Sequence, residues 1–432
     1  MRKNVFCFLL VVFIALFLTS CSYLGGYPVE LRSVVQAVAV DVENDDYKVS
    51  MQIFSNVGEA GAAGVSPAES NSFTVSGTGK TLPQAFDSIS SELGKNIFLA
   101  QLRFVVLGEE LIKQKGVKDF LNFMRMKIYQ IPNPYILISK NSTAAQIIQQ
   151  NITGGILPAD SVEKSIQYLI NDGKIQNSNM LSVFKDEQNK NGVIILPAVS
   201  LKETPNNEAK ALSQEDETET LENKISENET KTLENKIPEN ETKTLENKIP
   251  ESETEIPENK IPESENLLIG GAAVIKNGVL LEYLTESELR GITWLNGTFK
   301  RTDLSAKNGD ISLEMFSTKS KIYIDLSDEQ ININVKITSK SKVKWLVEPP
   351  LNYEQDVMHE IANAAQNEIY NKVKPVLEKC IYEYKINPFL LSKINLSGNK
   401  NMWYDLSQNW EYYVNKINLN ISVEVKMIRY SV

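Results

Sequence analysis

Residues 34–54 read VVQAVAVDVENDDYKVSMQIF, and this stretch sets the character of the fold. Val34–Val42 and Tyr47–Ser55 are rich in β-branched and other apolar residues, which favour strands. The polar run ENDD at 43–46 separates them and has the composition of a turn. The two segments are therefore predicted to form a β-hairpin.

Strands and helices alternate in the chain that follows this hairpin. A stretch at 56–70 is rich in Gly, Ala, Ser and Pro and is expected to be a flexible loop. Phe73–Ser76 is predicted as a third strand, and Thr81 is placed to cap a helix with apolar residues at helical spacing. A buried strand, a helix and another strand are predicted at 102–107, 117–124 and 134–139. This mixture with a hairpin indicates an α+β fold.

The C-terminal part repeats the same kind of pattern. Asn277-Gly278 lies between two strand-like segments and predicts a second hairpin, because both residues tolerate positive φ. Thr285 and Glu288 form a capping box that should open a short helix ending near Trp294. Three strands are predicted around 311–317, 319–326 and 330–338, and a closing strand from 416 to 428. A long helix is predicted from 353 to 382, with Ile361, Ala365 and Val376 among the residues of one apolar face and Pro375 within it.

An acidic repeat separates these two parts. The hexapeptide TLENKI occurs at 220–225, 232–237 and 244–249, a period of 12. Residues 203–266 contain 19 acidic and 7 basic side chains, so this segment carries more negative charge than the whole chain, whose net charge is −10. Its prolines and scarcity of aromatic residues predict a disordered linker, and a protein-binding repeat is the alternative. The acidity therefore says nothing about substrates of the folded parts.

The resulting division has four parts. Residues 1–20 are predicted as a signal peptide, and 21–202 as an N-terminal α+β region of two subdomains. The disordered repeat linker follows at 203–266, and 267–432 form a C-terminal α+β domain. We therefore expect mixed β-sheets with packed helices in about three subdomains.

The N-terminus predicts export and a lipid anchor. Two basic residues, Arg2 and Lys3, precede an apolar run at 5–18 that suits a signal peptide and is too short to span a bilayer comfortably. The run ends in Leu18-Thr19-Ser20-Cys21, which resembles the bacterial lipobox. Cys21 is therefore predicted to carry the lipid, and two or three acyl chains would make anchoring stable. An ordinary secretory signal or a membrane anchor with an incidental cysteine is the alternative.

Residue counts exclude several kinds of chemistry. After removal of the signal peptide and acylation of Cys21, Cys380 would be the one free thiol, so no disulfide framework or cysteine metal site is possible within one chain. His359 is the single histidine, which excludes a zinc site of two histidines. No cofactor is expected, and the absence of a basic stripe in the sequence speaks against nucleic acid.

Other candidate motifs have plain structural interpretations. The sequence SGTGKT at 76–81 is similar to a phosphate-binding loop, but Thr74 stands where that motif needs its first glycine, so a strand–turn–helix connection is predicted. Glu109 and Glu110 are expected to be first-turn acids of a helix. Cys380 and the four tryptophans are expected mainly in the core, although Trp403 and Trp410 could share a helix face.

The order of these segments resembles the Ger(x)C family of spore germination lipoproteins. The lipobox is followed by VVQAVAVDV and VSMQIF, then by GKT with its helix, then by LAQLRFVVLGEEL at 99–111. GAAVIKNGVLLEYLTESELRGITWL at 271–295 and the tail from 386 to 428 are similar to the C-terminal part of the family. Ser22-Tyr23 after the lipobox, Gln101 and the acidic repeat depart from the family pattern.

The resemblance implies a non-enzymatic, lipid-anchored subunit of a nutrient germinant receptor. Such a subunit would lie on the extracytoplasmic face of the spore inner membrane, with integral-membrane A and B subunits as partners. A free-standing extracytoplasmic solute-binding lipoprotein is the alternative, although the sequence has few of the βαβ units typical of that class. An exported hydrolase is least favoured, because no catalytic constellation is evident. The germinant is not identified by the sequence.

Overall fold

The computed structural model describes residues 31–54, 72–150, 158–188, 193–202, 267–326, 330–348, 355–389, 394–398, 405–406 and 409–428. The predictions for the signal peptide, for Cys21, for the loop at 56–70 and for the repeat linker at 203–266 lie outside these residues. Within them, the strands form two mixed sheets and helices pack against these sheets, which confirms the α+β class.

The N-terminal elements begin with the predicted hairpin. Its turn residues Asn44 and Asp45 have positive φ, and its two strands pair antiparallel. The strands of this part are β1 (Arg32–Glu43), β2 (Asp46–Phe54), β3 (Ser72–Gly79), β4 (Asn96–Phe98), β5 (Phe104–Leu107), β6 (Tyr135–Ser139) and β7 (Val193–Leu201). The helices are α1 (Leu82–Leu93), α2 (Glu109–Gln114), α3 (Lys118–Met126), α4 (Ala144–Ile148), α5 (Pro158–Asn171) and α6 (Met180–Gln188). No element was predicted for residues 140–202, so the sequence-based predictions missed α4, α5, α6 and β7.

The elements after the repeat begin with the second predicted hairpin. Asn277 and Gly278 have positive φ, and Thr285 and Glu288 form both halves of the capping box. The strands are β8 (Leu267–Lys276), β9 (Val279–Leu284), β10 (Arg301–Ala306), β11 (Ile311–Leu326), β12 (Ile331–Leu346), β13 (Ile394–Gly398) and β14 (Ile417–Met427). The helices are α7 (Glu286–Asn296), α8 (Gln355–Glu378, extended by a π-helical turn at Lys379–Glu383) and α9 (Trp410–Tyr413).

The first sheet contains strands from both sides of the repeat. Among the described residues its order is β3-β2-β1-β5-β6-β7-β8-β9, and β4 pairs with the start of β1. Strands β1, β5, β6 and β7 are mutually parallel, whereas β8 pairs antiparallel with β7. The division at 202 and 267 stays a prediction; the structure adds that Leu201 and Leu267 are ladder partners in one sheet.

Apolar clusters cover both faces of the first sheet. On one face Val38, Val105 and Ile136 pack in a cluster that includes residues of α1, α2, α3 and α6. The other face contributes Phe104 and Leu137 to a cluster shared with α4, α5, α7, α8 and the second sheet. A sheet buried on both faces needs nearly continuous apolar strands, which explains the composition of VVQAVAVDV.

The second sheet has one buried and one exposed face. Its order is β10-β11-β12-β14, with β13 beside the far half of β11. The inward residues of β11 and β12 pack with α8, whose buried face contains Ile361, Ala365 and Val376. That apolar face of the long helix was predicted. Pro375 lies within α8, as the sequence indicated.

Two expectations for the second sheet are wrong. The strands predicted at 311–317 and 319–326 are one strand, β11, because Ser317 takes φ 52° in a bulge and the ladder with β12 then continues. Trp345 is 55% exposed and not in the core, because its outward register position faces solvent. Trp294 and Trp410 are buried as expected, and Trp403 lies outside the described residues.

Candidate functional site

Polar side chains gather where the parallel strands β1, β5 and β6 end. Asp41 lies near the end of β1, Glu109 lies two residues after the end of β5, and Lys140 and Asn141 follow β6. Carboxyl ends of parallel strands meet at one edge of a sheet, which is the usual place for functional residues in such sheets. We therefore take this edge as the candidate site.

Asp41 is a buried carboxylate that binds the start of helix α4. Its Oδ1 accepts a hydrogen bond from the Ala144 amide at 2.8 Å, and its Oδ2 accepts one from Ala145 at 2.9 Å. Burial raises the pKa of this carboxyl group, and the two amide bonds oppose that shift. The helix already has a capping box through Thr143 and Gln146. Asp41 thus ties β1 to a helix about a hundred residues later.

Gly108 allows β5 to end beside this carboxylate. Its amide donates to the Val40 carbonyl at 2.8 Å, and a β-carbon at this position would lie much closer than 3.0 Å to Oδ1 of Asp41. Glycine is needed here because of close approach, since its φ is −65°. The glycine of the LGEEL stretch therefore has a steric function next to Asp41.

Glu109 joins three segments at the same edge. Its carboxylate is 2.8 Å from the Lys113 ammonium and accepts a hydrogen bond from the Asn141 amide at 3.2 Å. Burial favours the neutral acid, but these contacts outweigh it and lower the pKa of Glu109. Burial and the Glu109 charge raise the pKa of Tyr283 on β9, and the Lys140 ammonium lies 4.8 Å from the centre of the Tyr283 ring. Charged side chains from before the repeat thus meet a tyrosine from after it.

The turn between β8 and β9 strengthens the same connection. The Val117 amide donates to the Gly278 carbonyl at 2.8 Å. A β-carbon on Gly116 would lie 2.6 Å from that carbonyl oxygen. The Asn-Gly turn therefore both closes its own hairpin and docks against the start of α3.

A second charged cluster lies at the opposite end of β5. The Arg103 guanidinium is 3.0 Å from Asp160 and also pairs with Glu163, both on α5. Its Nε is buried without a hydrogen-bond partner in the described residues. The Glu163 charge also contributes, after burial, to a raised pKa of Tyr135. The stretch 99–111 therefore carries an ionic contact at each end of one short strand.

These contacts are intramolecular and hold segments of the same chain together. In the described part of the chain, the carboxylates of Asp41 and Glu109 already accept hydrogen bonds from backbone amides or a lysine. No group of three or more His, Cys, Asp and Glu side chains is arranged there to hold a metal ion. Nor, among those residues, is any helix long and apolar enough to cross a membrane. The arrangement can fix strand ends and helix starts in register.

The individually predicted residues fall in different places. Cys21 lies outside the described residues. Glu109 and Glu110 are first-turn acids of α2, Thr81 caps α1, and SGTGKT forms the end of β3 and the turn into that helix. His359 is exposed on α8, and Cys380 is fully buried. The roles of Asp41 and Arg103 were missed, and one signal could have found Asp41: it is a charged residue inside an otherwise apolar strand.

A groove of about 510 Å³ lies apart from this edge, between α8 and the ends of β11 and β12. Ile311, Leu346 and Ile361 form part of its apolar lining, and Asp310 and Glu360 are among its acids. The volume is within the range of small-molecule sites.

Fold and site together define a class: an α+β protein of two mixed sheets in which buried charges lock distant segments of the chain. Family models then match most of the length. The model described as "Spore germination protein N-terminal domain" covers residues 27–201, and the one described as "Spore germination B3/ GerAC like, C-terminal" covers 270–431. The chain belongs to the Ger(x)C family of spore germination proteins. This confirms the family prediction, and the family is not a known enzyme family.

Two individual proteins are also similar to this chain. Over 165 residues it is 22% identical to spore germination protein B3 of Bacillus subtilis (strain 168). The matched residues make up 37% of this chain and 44% of that relative. The matched part is thus less than half of the relative. A solved structure described as the crystal structure of the GerBC protein superposes with a TM-score of 0.49 and 14% identity, covering 91% of this chain and 97% of that chain.

Proposed function

We propose that this chain is a non-enzymatic, lipid-anchored subunit of a nutrient germinant receptor, held on the extracytoplasmic face of the spore inner membrane by acylated Cys21. The observation that carries the proposal is the match of both family domains directly after a lipobox. Two acyl chains anchor a protein stably, because each buried methylene contributes about 0.8 kcal/mol. Integral-membrane A and B subunits are the proposed partners.

The internal contacts support a role in assembly. Asp41, Arg103 and Glu109 hold both ends of the parallel strands, so the surface of the first sheet region is presented as one rigid unit. A rigid surface suits a subunit that docks against other proteins, because little ordering entropy is lost on binding.

Spores carrying Cys21→Ala test the anchor. Nutrient-triggered loss of refractility should be lost, the protein should leave the membrane fraction, and a non-nutrient trigger should still work. Cys7→Ala is the matched control, because it removes a cysteine from the predicted signal peptide and leaves the lipobox intact. Normal germination with the protein released from the membrane would contradict the proposal.

Assembly is tested separately from anchoring. An affinity-tagged copy of the chain should retain the two integral-membrane subunits from detergent-solubilised spore membranes. Recovery of the tagged chain without either subunit would contradict the partner proposal.

The solute-binding alternative has one observation in its favour, the groove beside α8. Calorimetry of the chain from residue 22 onward with amino acids and sugars tests it. Saturable binding that Val357→Glu abolishes, with the thermal unfolding of the chain unchanged, would favour this alternative over a subunit without a ligand.

A further inference from the structure

The outer face of the second sheet is basic, although no basic stripe is evident in the sequence, because separate strands contribute its residues. Because side chains alternate across a strand, the outward positions of β11, β12 and β14 are set by the buried ones between them. We call these outward residues the lysine face. Its members are Lys319, Lys321, Lys336, Lys340, Lys342, Lys344 and Lys426. With Arg301 of β10 they outnumber the carboxylates on the same face, which are Asp303, Glu314, Asp325 and Glu424.

Several of these lysines are not neutralised by neighbours. Within the described residues, Lys319, Lys321 and Lys340 form no ion pair. Lys336 and Lys426 share a single carboxylate, Glu424, at 3.8 Å and 3.3 Å. The positive charge of the face is therefore available to a partner.

The register places like charges directly opposite each other. Lys321 is the ladder partner of Lys336, and Lys340 is the ladder partner of Lys426. Opposed like charges destabilise a sheet, since directly opposite β-carbons are only about 5 Å apart. Folding does not account for this arrangement, so we look for its cause in binding.

Exposed aromatic residues lie among the lysines. Trp345 and Tyr323 point outward and are 55% and 41% exposed. The Lys342 ammonium lies 5.6 Å from the centre of the Phe316 ring, also on this face. Large amphipathic rings beside lysines are the composition of surfaces at a membrane–water interface.

We propose that the lysine face binds anionic lipid headgroups. Its charge is complementary to an anionic bilayer, and an open strand surface can meet a planar partner along its whole length. The negative charge of the chain is concentrated at residues 203–266, so the chain as a whole is not attracted to such a membrane, and the attraction is confined to this face. The surface would act whether or not Cys21 is acylated.

Vesicle sedimentation tests the proposal with the chain from residue 22 onward, which keeps every described residue and carries no acyl group. It should bind phosphatidylcholine vesicles only when phosphatidylglycerol is added, and more weakly as salt rises. Each lysine near an anionic surface contributes about fivefold to partitioning. The variant K319Q/K321Q/K340Q should therefore lose roughly a hundredfold.

A matched variant controls for total charge. K80Q/K95Q/K118Q removes three exposed lysines from the other sheet region and should keep its binding. Thermal unfolding of the lysine-face variant should be unchanged or higher, because repulsion has been removed.

Three results would overturn the proposal. One is no binding to anionic vesicles, and another is equal weakening in the two triple variants. The third is soluble polyglutamate displacing the chain from vesicles at matched charge concentration, which would point to an acidic polypeptide as the partner.

Discussion

Oδ1 of Asp41 occupies the space that a β-carbon on Gly108 would need. Asp41 lies in β1, Gly108 directly follows the neighbouring parallel strand β5, and the carboxylate is fixed there by the amides of Ala144 and Ala145. The glycine after β5 and the acid inside β1 therefore constrain each other.

Gly108→Ala should destabilise the chain by about 1–3 kcal/mol, the usual cost of overpacking a buried site. Denaturant unfolding of the chain from residue 22 onward measures it. The same substitution in an Asp41→Ala background should cost less, because the clashing carboxylate is gone. An equal cost in both backgrounds would mean that the two residues are not coupled.

Gly291→Ala tests the packing of α7 against α8. A β-carbon there would lie 2.6 Å from Cγ1 of Val376 and would also collide with the Lys372 carbonyl oxygen. Helix propensity alone predicts stabilisation of about 1 kcal/mol for this change, whereas the close helix contact predicts a loss of about 1–3 kcal/mol. The sign of the change in unfolding free energy decides between them.

Asp186 should make stability depend on pH. Burial raises the pKa of its carboxyl group from 3.8 to about 6. Between these two values the folded chain binds the proton more tightly than the unfolded chain, so this group's contribution to stability falls as pH rises and levels off above about 6.

Asp186→Asn should remove that decline and stabilise the chain above this window by at most about 3 kcal/mol. Unfolding curves recorded across the window measure the effect. Asp87→Asn, at an exposed position of α1, is the control and should leave the pH profile as it is. A decline of the same slope in Asp186→Asn would assign it to another group.

Cys380 should be inert toward thiol reagents in the folded chain. Burial raises the pKa of its thiol to about 12, and the side chain is fully buried. The thiolate is the reactive form, so little of it is present or accessible at neutral pH. In the chain from residue 22 onward this is the one cysteine, and a thiol-exchange reagent should label it only after denaturation. Ser305→Cys, at an exposed position of β10, provides a labelled control; equally fast native labelling of the unmodified chain would refute the prediction.

Local signals predicted the elements that depend on neighbouring residues. The Asn277-Gly278 hairpin and the capping box of Thr285 and Glu288 involve residues at most a few positions apart, and both are present. The same is true of Thr81 and of the apolar face of α8. Short-range hydrogen bonds and periodicity are visible in one sequence without knowledge of the rest.

Features that depend on contacts between residues far apart in the sequence could not be predicted from the sequence alone. The bond between Asp41 and the start of α4 joins positions 103 residues apart, and the pairing of β7 with β8 crosses the whole repeat. Two strands were expected on either side of position 318, yet the ladder with β12 holds them together through a bulge at Ser317. Trp345 was assigned to the core from its residue type, but register decides the face on which a strand residue lies.

The pairing of Leu201 with Leu267 has an evolutionary consequence. These two residues hold the start and the end of the intervening 203–266 segment on adjacent strands, whatever its length. For the disordered linker that the sequence predicts, doubling its length between fixed ends costs only about 0.6 kcal/mol. Slippage during DNA replication can therefore add or remove 12-residue copies with little penalty to folding. The same position is a permissive point for inserting a fluorescent domain or an epitope without redesigning either sheet.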